Sequence, residues 1–250
     1  MRIGYLVTAR LKSTRLPNKL ILKIQEREVI RWMIDRLKIS TELDEIVICT
    51  STNPQDQPLE EIAKQEKVGI FRGHEEDVIK RLYEAAVEFK LDYILNVTAD
   101  CPLVSYEYIS LIIDSYKNTN ADLIRCLDLP HGFFSYGIKV DALKKVCDIK
   151  DDDKTEVWGR YFTDTGHFKV VDLEIPNDLK RPDYRLTLDY PEDFKFFEAV
   201  FAFFGPETYK TKMKDIIEYL DNHPEIVNIN AHCKNAFKKN WDSQNTIHLK

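Results

Sequence analysis

Residues 3–19 read IGYLVTARLKSTRLPNK, an apolar run that breaks at Ala9 into a segment carrying four basic side chains, Arg10, Lys12, Arg15 and Lys19. The run Ile3–Ala9 predicts a buried strand, since apolar residues without polar alternation suit a strand covered on both faces. A structural turn after it would need no such charge. Ser13 and Thr14 lie among the cations, and their hydroxyls and backbone amides can also face an anion. The segment holds no glycine, so an anion cradle here is built from side chains and is neither a Walker loop nor a G-x-G-x-x-G turn. Pro17 fixes a turn, and Asn18 suits a left-handed conformation that aims Lys19 back toward the strand end.

Working outward, short β-branched runs alternate with amphipathic segments, which predicts parallel βαβ units and an α/β fold. The predicted strands are Ile3–Ala9, Glu45–Thr50, Val68–Phe71, Tyr93–Thr98 and Asp122–Cys126. The predicted helices are Val29–Ile39, Leu59–Glu66, Glu76–Phe89 and Tyr106–Tyr116. From Gly132 the rhythm changes: a strand-like GFFSYGIKV, a helix from Asp141, a polar DDDK turn, another helical stretch and a strand HFKVVDLEI. A strand at Tyr184–Leu188 and a helix from Pro191 to Phe203 follow. The expectation is one domain over residues 1–250, with an inserted subregion at about 130–175 and a helical appendage at about 205–250.

With 250 residues, 44% of them hydrophobic, the chain can build a sizeable core. A net charge of −6 argues against nucleic-acid or anionic-membrane partners, which need a basic face. The five cysteines are scattered, with no C-x-x-C, and suggest neither a disulfide framework nor a zinc site. With no leader and no membrane-length apolar run, a cytoplasmic protein is expected.

Ligands of open parallel sheets bind beyond the carboxyl ends of the strands. Asp100 follows the run YILNVTA and Asp189 follows RLTL, so two carboxylates are presented at strand ends, a pattern suited to Mg2+, which takes hard oxygen ligands. Asp100 also reads as a turn former before Pro102, and Asp189 as a helix N-cap with Glu192 completing a capping box. Gly73–Asp77 reads as a turn into a helix, with His74 at the surface. Cys101 reads as small buried filler.

The motif A-R-x-x-S-T-R-L-P-x-K at Ala9–Lys19 closely resembles the opening motif of the cytidylyltransferases that make CMP-activated sugar acids, in particular their spore-coat polysaccharide branch. G-x-E-E-D-V-x-x-R at Gly73–Arg81, D-C-P-L at Asp100–Leu103, L-D-Y-P-E-D-F at Leu188–Phe194 and N-A-H-x-K at Asn230–Lys234 follow in the family's order. The resemblance implies a Rossmann-like nucleotidyltransferase fold, CMP transfer from CTP to an acidic sugar with release of pyrophosphate, and a homodimer. It implies nucleotide contacts from Ala9, Arg10, Ser13, Arg15, Lys19, Arg72, Asn96 and Thr98, and Mg2+ on Asp100 and Asp189. Arg10, Lys19, Asp100 and Asp189 would carry the catalysis. Acceptor contacts would come from His131, Tyr136, Lys139, Glu156 and Arg185. Departures from the family are Asn18 for glycine, Thr98 where some relatives carry glutamine, and Glu156-Val157-Trp158 where relatives often have Glu-His. Two alternatives stay open: a phosphate or phosphonate acceptor or a different NTP, and a nucleotide-sugar-binding or glycosyl-transferring protein.

Overall fold

The first strand, β1 (Ile3–Thr8), is buried along its whole length. Ile3, Tyr5 and Val7 enter one apolar cluster while Leu6 enters another, so the strand is covered on both faces. That is why its sequence shows no polar alternation. The structure, a computed structural model, describes residues 1–237 and 246–250, so part of the expected C-terminal appendage, residues 238–245, lies outside the described residues. A short ribbon, β2 (Lys23–Ile24) and β3 (Arg27–Glu28), leads into α1 (Val29–Leu37), β4 (Glu45–Ser51), α2 (Gln57–Glu66), β5 (Gly69–Gly73) and α3 (Val78–Glu88). Then come β6 (Tyr93–Thr98), α4 (Glu107–Thr119), β7 (Leu123–Arg125), β8 (Tyr136–Lys139), α5 (Val140–Ile149), α6 (Gly159–Thr163) and β9 (Val170–Asp172). The described chain continues through α7 (Pro191–Phe204), α8 (Met213–Asn222) and α9 (Pro224–Val227).

Seven strands form one sheet in the order β5-β4-β1-β6-β8-β7-β9. Only β8 runs against its neighbours, so the sheet is mostly parallel. Helices α1, α2, α4, α7 and α8 bury their apolar faces on one side, and α3, α5 and α6 on the other. This is a three-layer α/β arrangement. On α3, Val78, Ile79, Leu82, Ala85 and Ala86 are buried, as the helical spacing predicts. The chain leaves β1 toward β4 and β5 on one side and returns to β6 on the other. The carboxyl ends of β1 and β6 are therefore the switch point.

Two expectations are corrected. Tyr184–Leu188 is not a strand of the sheet: its amides serve loops instead, Leu186 donating to the His131 carbonyl at 2.7 Å and Leu188 to the Asp100 carbonyl at 2.8 Å. The stretch from Gly132 becomes strand only at Tyr136–Lys139, because Gly132 takes φ 108° and turns the chain. Within residues 130–175, β8 and β9 are strands of the main sheet, which ties that segment into the central layer. Among the described residues no helix is long and apolar enough to cross a membrane.

Candidate active site

The loop after β1 is fastened at its start. Leu11 donates its amide to Asp56 Oδ1 at 2.8 Å, and Ser51 donates its hydroxyl to the other oxygen of that fully buried carboxylate. At its end Asn18 adopts φ 55°, ψ 25°, the left-handed turn that its type tolerates, and Lys19 begins a short 3-10 turn. Between these anchors the loop bounds a cavity of about 450 Å3 at the carboxyl ends of β1 and β6. That volume lies in the range of small-molecule sites.

Arg10, Lys12, Ser13, Thr14, Arg15 and Lys19 line the cavity from the loop, and Asn96, Thr98 and Asp100 line it from β6 and its end. All four of these cations already hold acidic partners. Arg10 lies 2.9 Å from Glu156 and donates to the Glu75 carbonyl; Lys12 lies 2.9 Å from Glu75. Lys19 Nζ lies 2.6 Å from Asp100 Oδ2 and 2.9 Å from Asp189 Oδ1, and Arg15 donates to the same Asp189 oxygen at 2.8 Å. Asp189 does not line the cavity; it sits behind Lys19 and Arg15 with a nearly buried carboxylate. Burial pushes its carboxyl up, but Lys19, Arg15 and Arg185 outweigh that and hold it well below the usual carboxylate range. For Lys19, burial pulls the ammonium down, and the two aspartates more than restore it. Lys19 and Asp189 are thus both charged.

Thr98 donates its hydroxyl to Asp100 Oδ1 at 2.5 Å, and Asn96 donates to the Leu6 carbonyl at 2.7 Å and to Thr8 Oγ1 at 3.0 Å, which fixes the floor of the cavity. Ala9 is buried and spends its amide on the Cys49 carbonyl, so it is part of the sheet's continuation and not of the lining. Cys101 is buried, which pushes its thiol up and keeps it protonated, as expected of filler.

Several expected residues are placed elsewhere. Arg72 does not reach the cavity: its guanidinium is held by the carbonyls of Ser51 and Asn53 and by Gln57 and Glu60 at the outer strand β5. Lys139 pairs in register with Tyr93, at the amino end of β6, because β8 runs antiparallel; it lies at the wrong end of the sheet for this cavity. Arg185 is buried on Asp189 and Asp193 and offers no free fork to a substrate. His131 packs between Phe134 and Phe237, and burial pulls its imidazole below the usual histidine range. Tyr136 stands edge-on to Trp158. Of the acceptor-side candidates, Glu156 alone lines the cavity, and Trp158 beside it was missed. The signal for Trp158 was its departure from the family's Glu-His. The expected cap Asp189-Glu192 is replaced: α7 is capped at Tyr190, whose amide donates to Asp193 at 3.0 Å. His74 is exposed, with its Nδ1 accepting from the Asp77 amide.

Asp100 and Asp189 point two hard-oxygen carboxylates at one position, where the Lys19 ammonium now stands. That donor set fits a hydrated divalent cation, which takes hard oxygen ligands.

A family model described as cytidylyltransferase matches residues 5–219 of the chain. An uncharacterised protein of Methanocaldococcus jannaschii is 33% identical over 236 residues, covering 94% of this chain and 96% of that protein. The spore coat polysaccharide biosynthesis protein SpsF of Bacillus subtilis is 26% identical over 230 residues, covering 89% and 95%. The solved structure of a cytidylyltransferase from Leptospira borgpetersenii is similar with TM-score 0.82 at 29% identity, covering 91% of this chain and 97% of that one.

Proposed function

The chain belongs to the cytidylyltransferase family, and we propose that it transfers CMP from CTP to a hydroxyl of an acidic sugar or related acceptor, for surface-glycan synthesis. The observation that carries this reading is the convergence on Lys19 of Asp100 from the cavity at the sheet's switch point and of Asp189 from behind it, beside Arg10 and Arg15. A triphosphate carries about four negative charges, and the loop offers as many cations. The similarity to a spore coat polysaccharide biosynthesis protein supports a glycan-directed product.

In the reaction the acceptor oxygen forms a bond to the α-phosphorus in line with the bond that breaks, and pyrophosphate leaves with that bond's electron pair. The acceptor's hydroxyl proton passes to solvent. Arg10, Arg15 and Lys19 exchange their carboxylate partners for phosphate oxygens and neutralise the charge that builds there. Asp100 and Asp189 would hold Mg2+, which when bound supplies charge neutralisation at the triphosphate and polarises the α-phosphate. Thr98 fixes the Asp100 carboxylate, and the loop's two anchors keep the cations in place before substrate arrives. Glu156 and Trp158, with Leu20, Glu76 and Val78, are side chains that remain on the cavity wall for an acceptor.

Incubation with each NTP, Mg2+ and a panel of sugar acids and sugar phosphates, with the products weighed by mass spectrometry, tests the reading. A CMP-sugar acid and pyrophosphate are expected from CTP alone. Turnover with sugar phosphates only, or with another NTP in preference, would overturn it. The mass of the protein in solution, measured alongside, tests the homodimer that forms part of the proposal.

A further inference from the structure

Asp193 is fully buried and accepts hydrogen bonds from the amides of Asp189 at 2.8 Å and Tyr190 at 3.0 Å. It also accepts from Arg185 at Nε, 2.9 Å, and at the terminal nitrogen, 3.0 Å, and from the Asn230 amide at 2.9 Å. The same Arg185 terminal nitrogen donates to Asp189 Oδ2 at 2.8 Å, and Asn230 also donates to the Arg185 carbonyl at 3.0 Å. The Arg185 guanidinium lies over the rings of Tyr190 and Phe237, 5.6 and 4.9 Å from their centroids. No fully buried side-chain nitrogen or oxygen of this cluster is left without a partner, and none of these residues lines the cavity.

Helix capping alone explains little of this arrangement, because a cap needs one or two amides and no buried arginine. What the cluster does is grip Asp189 twice: its backbone through Asp193, and its outer carboxylate oxygen through Arg185. The inner oxygen is left facing Lys19 and Arg15. We propose that Arg185, Asp193 and Asn230 form a positioning clamp, closed by the turn after α9, that fixes the carboxylate of Asp189 for the divalent cation. The inference rests on the reading of Asp189 as a metal ligand given under Proposed function. It converts Arg185 from an acceptor contact into a residue that acts through another. It also gives the N-A-H-x-K motif a role: Asn230 is the point where the turn after α9 ties into the site.

Residues that orient metal ligands typically change metal affinity by 10–100-fold when removed. The test is Mn2+ binding, read as loss of the free-ion electron paramagnetic resonance signal, with CTP present and no acceptor, beside steady-state pyrophosphate release. Asp193→Asn should bind Mn2+ about tenfold or more weakly and lose kcat in parallel, with KM for CTP within about twofold of wild type. Arg185→Lys, which keeps the charge but not the fork, should give a smaller loss in the same direction, and it serves where Asp193→Asn fails to fold. Mn2+ affinity unchanged in the folded variants, with only their melting temperature lowered, would reduce the cluster to a structural element and overturn the proposal. A wild-type protein that neither binds Mn2+ nor releases pyrophosphate would instead overturn the reading of Asp189 as a ligand, and the clamp with it.

Discussion

Lys19 Nζ stands 2.9 Å from Asp189 Oδ1, and on its other side 2.6 Å from Asp100 Oδ2. On the proposal that these two carboxylates hold a divalent cation, the Lys19 ammonium competes with it for both. A triphosphate gives it somewhere else to go, so metal and nucleotide should enter together. Mn2+ binding to the wild type is expected to be weak without nucleotide and to tighten with CTP. In Lys19→Met the resident charge is gone, and Mn2+ affinity without nucleotide should rise by about tenfold, on the order of 1.4 kcal/mol. CTP affinity should fall in the same variant. Titration calorimetry with each ligand checks both; metal affinity unchanged by the substitution would remove the idea of competition.

Glu156 competes with a phosphate for Arg10, since its carboxylate lies 2.9 Å from the guanidinium. Glu156→Gln removes that competitor and keeps the shape. CTP should bind a few-fold more tightly, because an exposed ion pair contributes only about 1 kcal/mol or less. Acceptor KM should rise in the same variant if Glu156 forms the acceptor wall. Fluorescence or calorimetric binding of CTP to the variant, followed by acceptor kinetics, separates the two effects.

How far these features can be read from sequence depends on whether their cause is local. The strand Ile3–Thr8 and the left-handed Asn18 depend on nearest neighbours, and both are legible in IGYLVTARLKSTRLPNK. The direction of β8 is not: a short strand carries no mark of whether it runs parallel or antiparallel, and that direction alone sends Lys139 to the far end of the sheet. Arg72 sits on β5, two strands away from β1 and the cavity at the switch point, which only strand order could tell. The start of α7 at Pro191 is legible as well, but the residue directly before it, Tyr190, is the cap, so the capping carboxylate three positions on is Asp193 and not Glu192. Asn230 is 37 residues from Asp193, and nothing in composition links them.

Gly132 tests the joint between the loop before β8 and the segment that carries Asp189. It holds φ 108°, and a Cβ there would lie 1.9 Å from the Leu186 carbonyl oxygen. Backbone cannot move aside as a flexible side chain can, and Leu186 is also held by the His131 carbonyl at 2.7 Å. Gly132→Ala should cost roughly 3 kcal/mol, the sum of a strained conformation and a backbone clash. Denaturant unfolding measures this. A loss below about 0.5 kcal/mol, the ordinary surface range, would mean that the segment yields freely.

The charge on Asp189 sets the last expectation. Its folded-state pKa is depressed from 3.8 to about 2 by Lys19, Arg15 and Arg185 acting against burial. A depressed carboxyl stabilises the folded state above its unfolded value, and that contribution disappears as pH falls through the folded one. At pH 7 the linkage is worth about 2 kcal/mol. Asp189→Asn should therefore be less stable than wild type by about that much at neutral pH, and the gap should close as the pH falls from about 4 toward 2. Urea unfolding of both proteins at a series of pH values reads the difference directly. A gap that stays constant down to pH 2 would mean that the loss comes from the amide's altered hydrogen bonds and not from the charge; a gap that closes confirms that three cations hold this carboxylate ionised, which is the state a metal ligand requires.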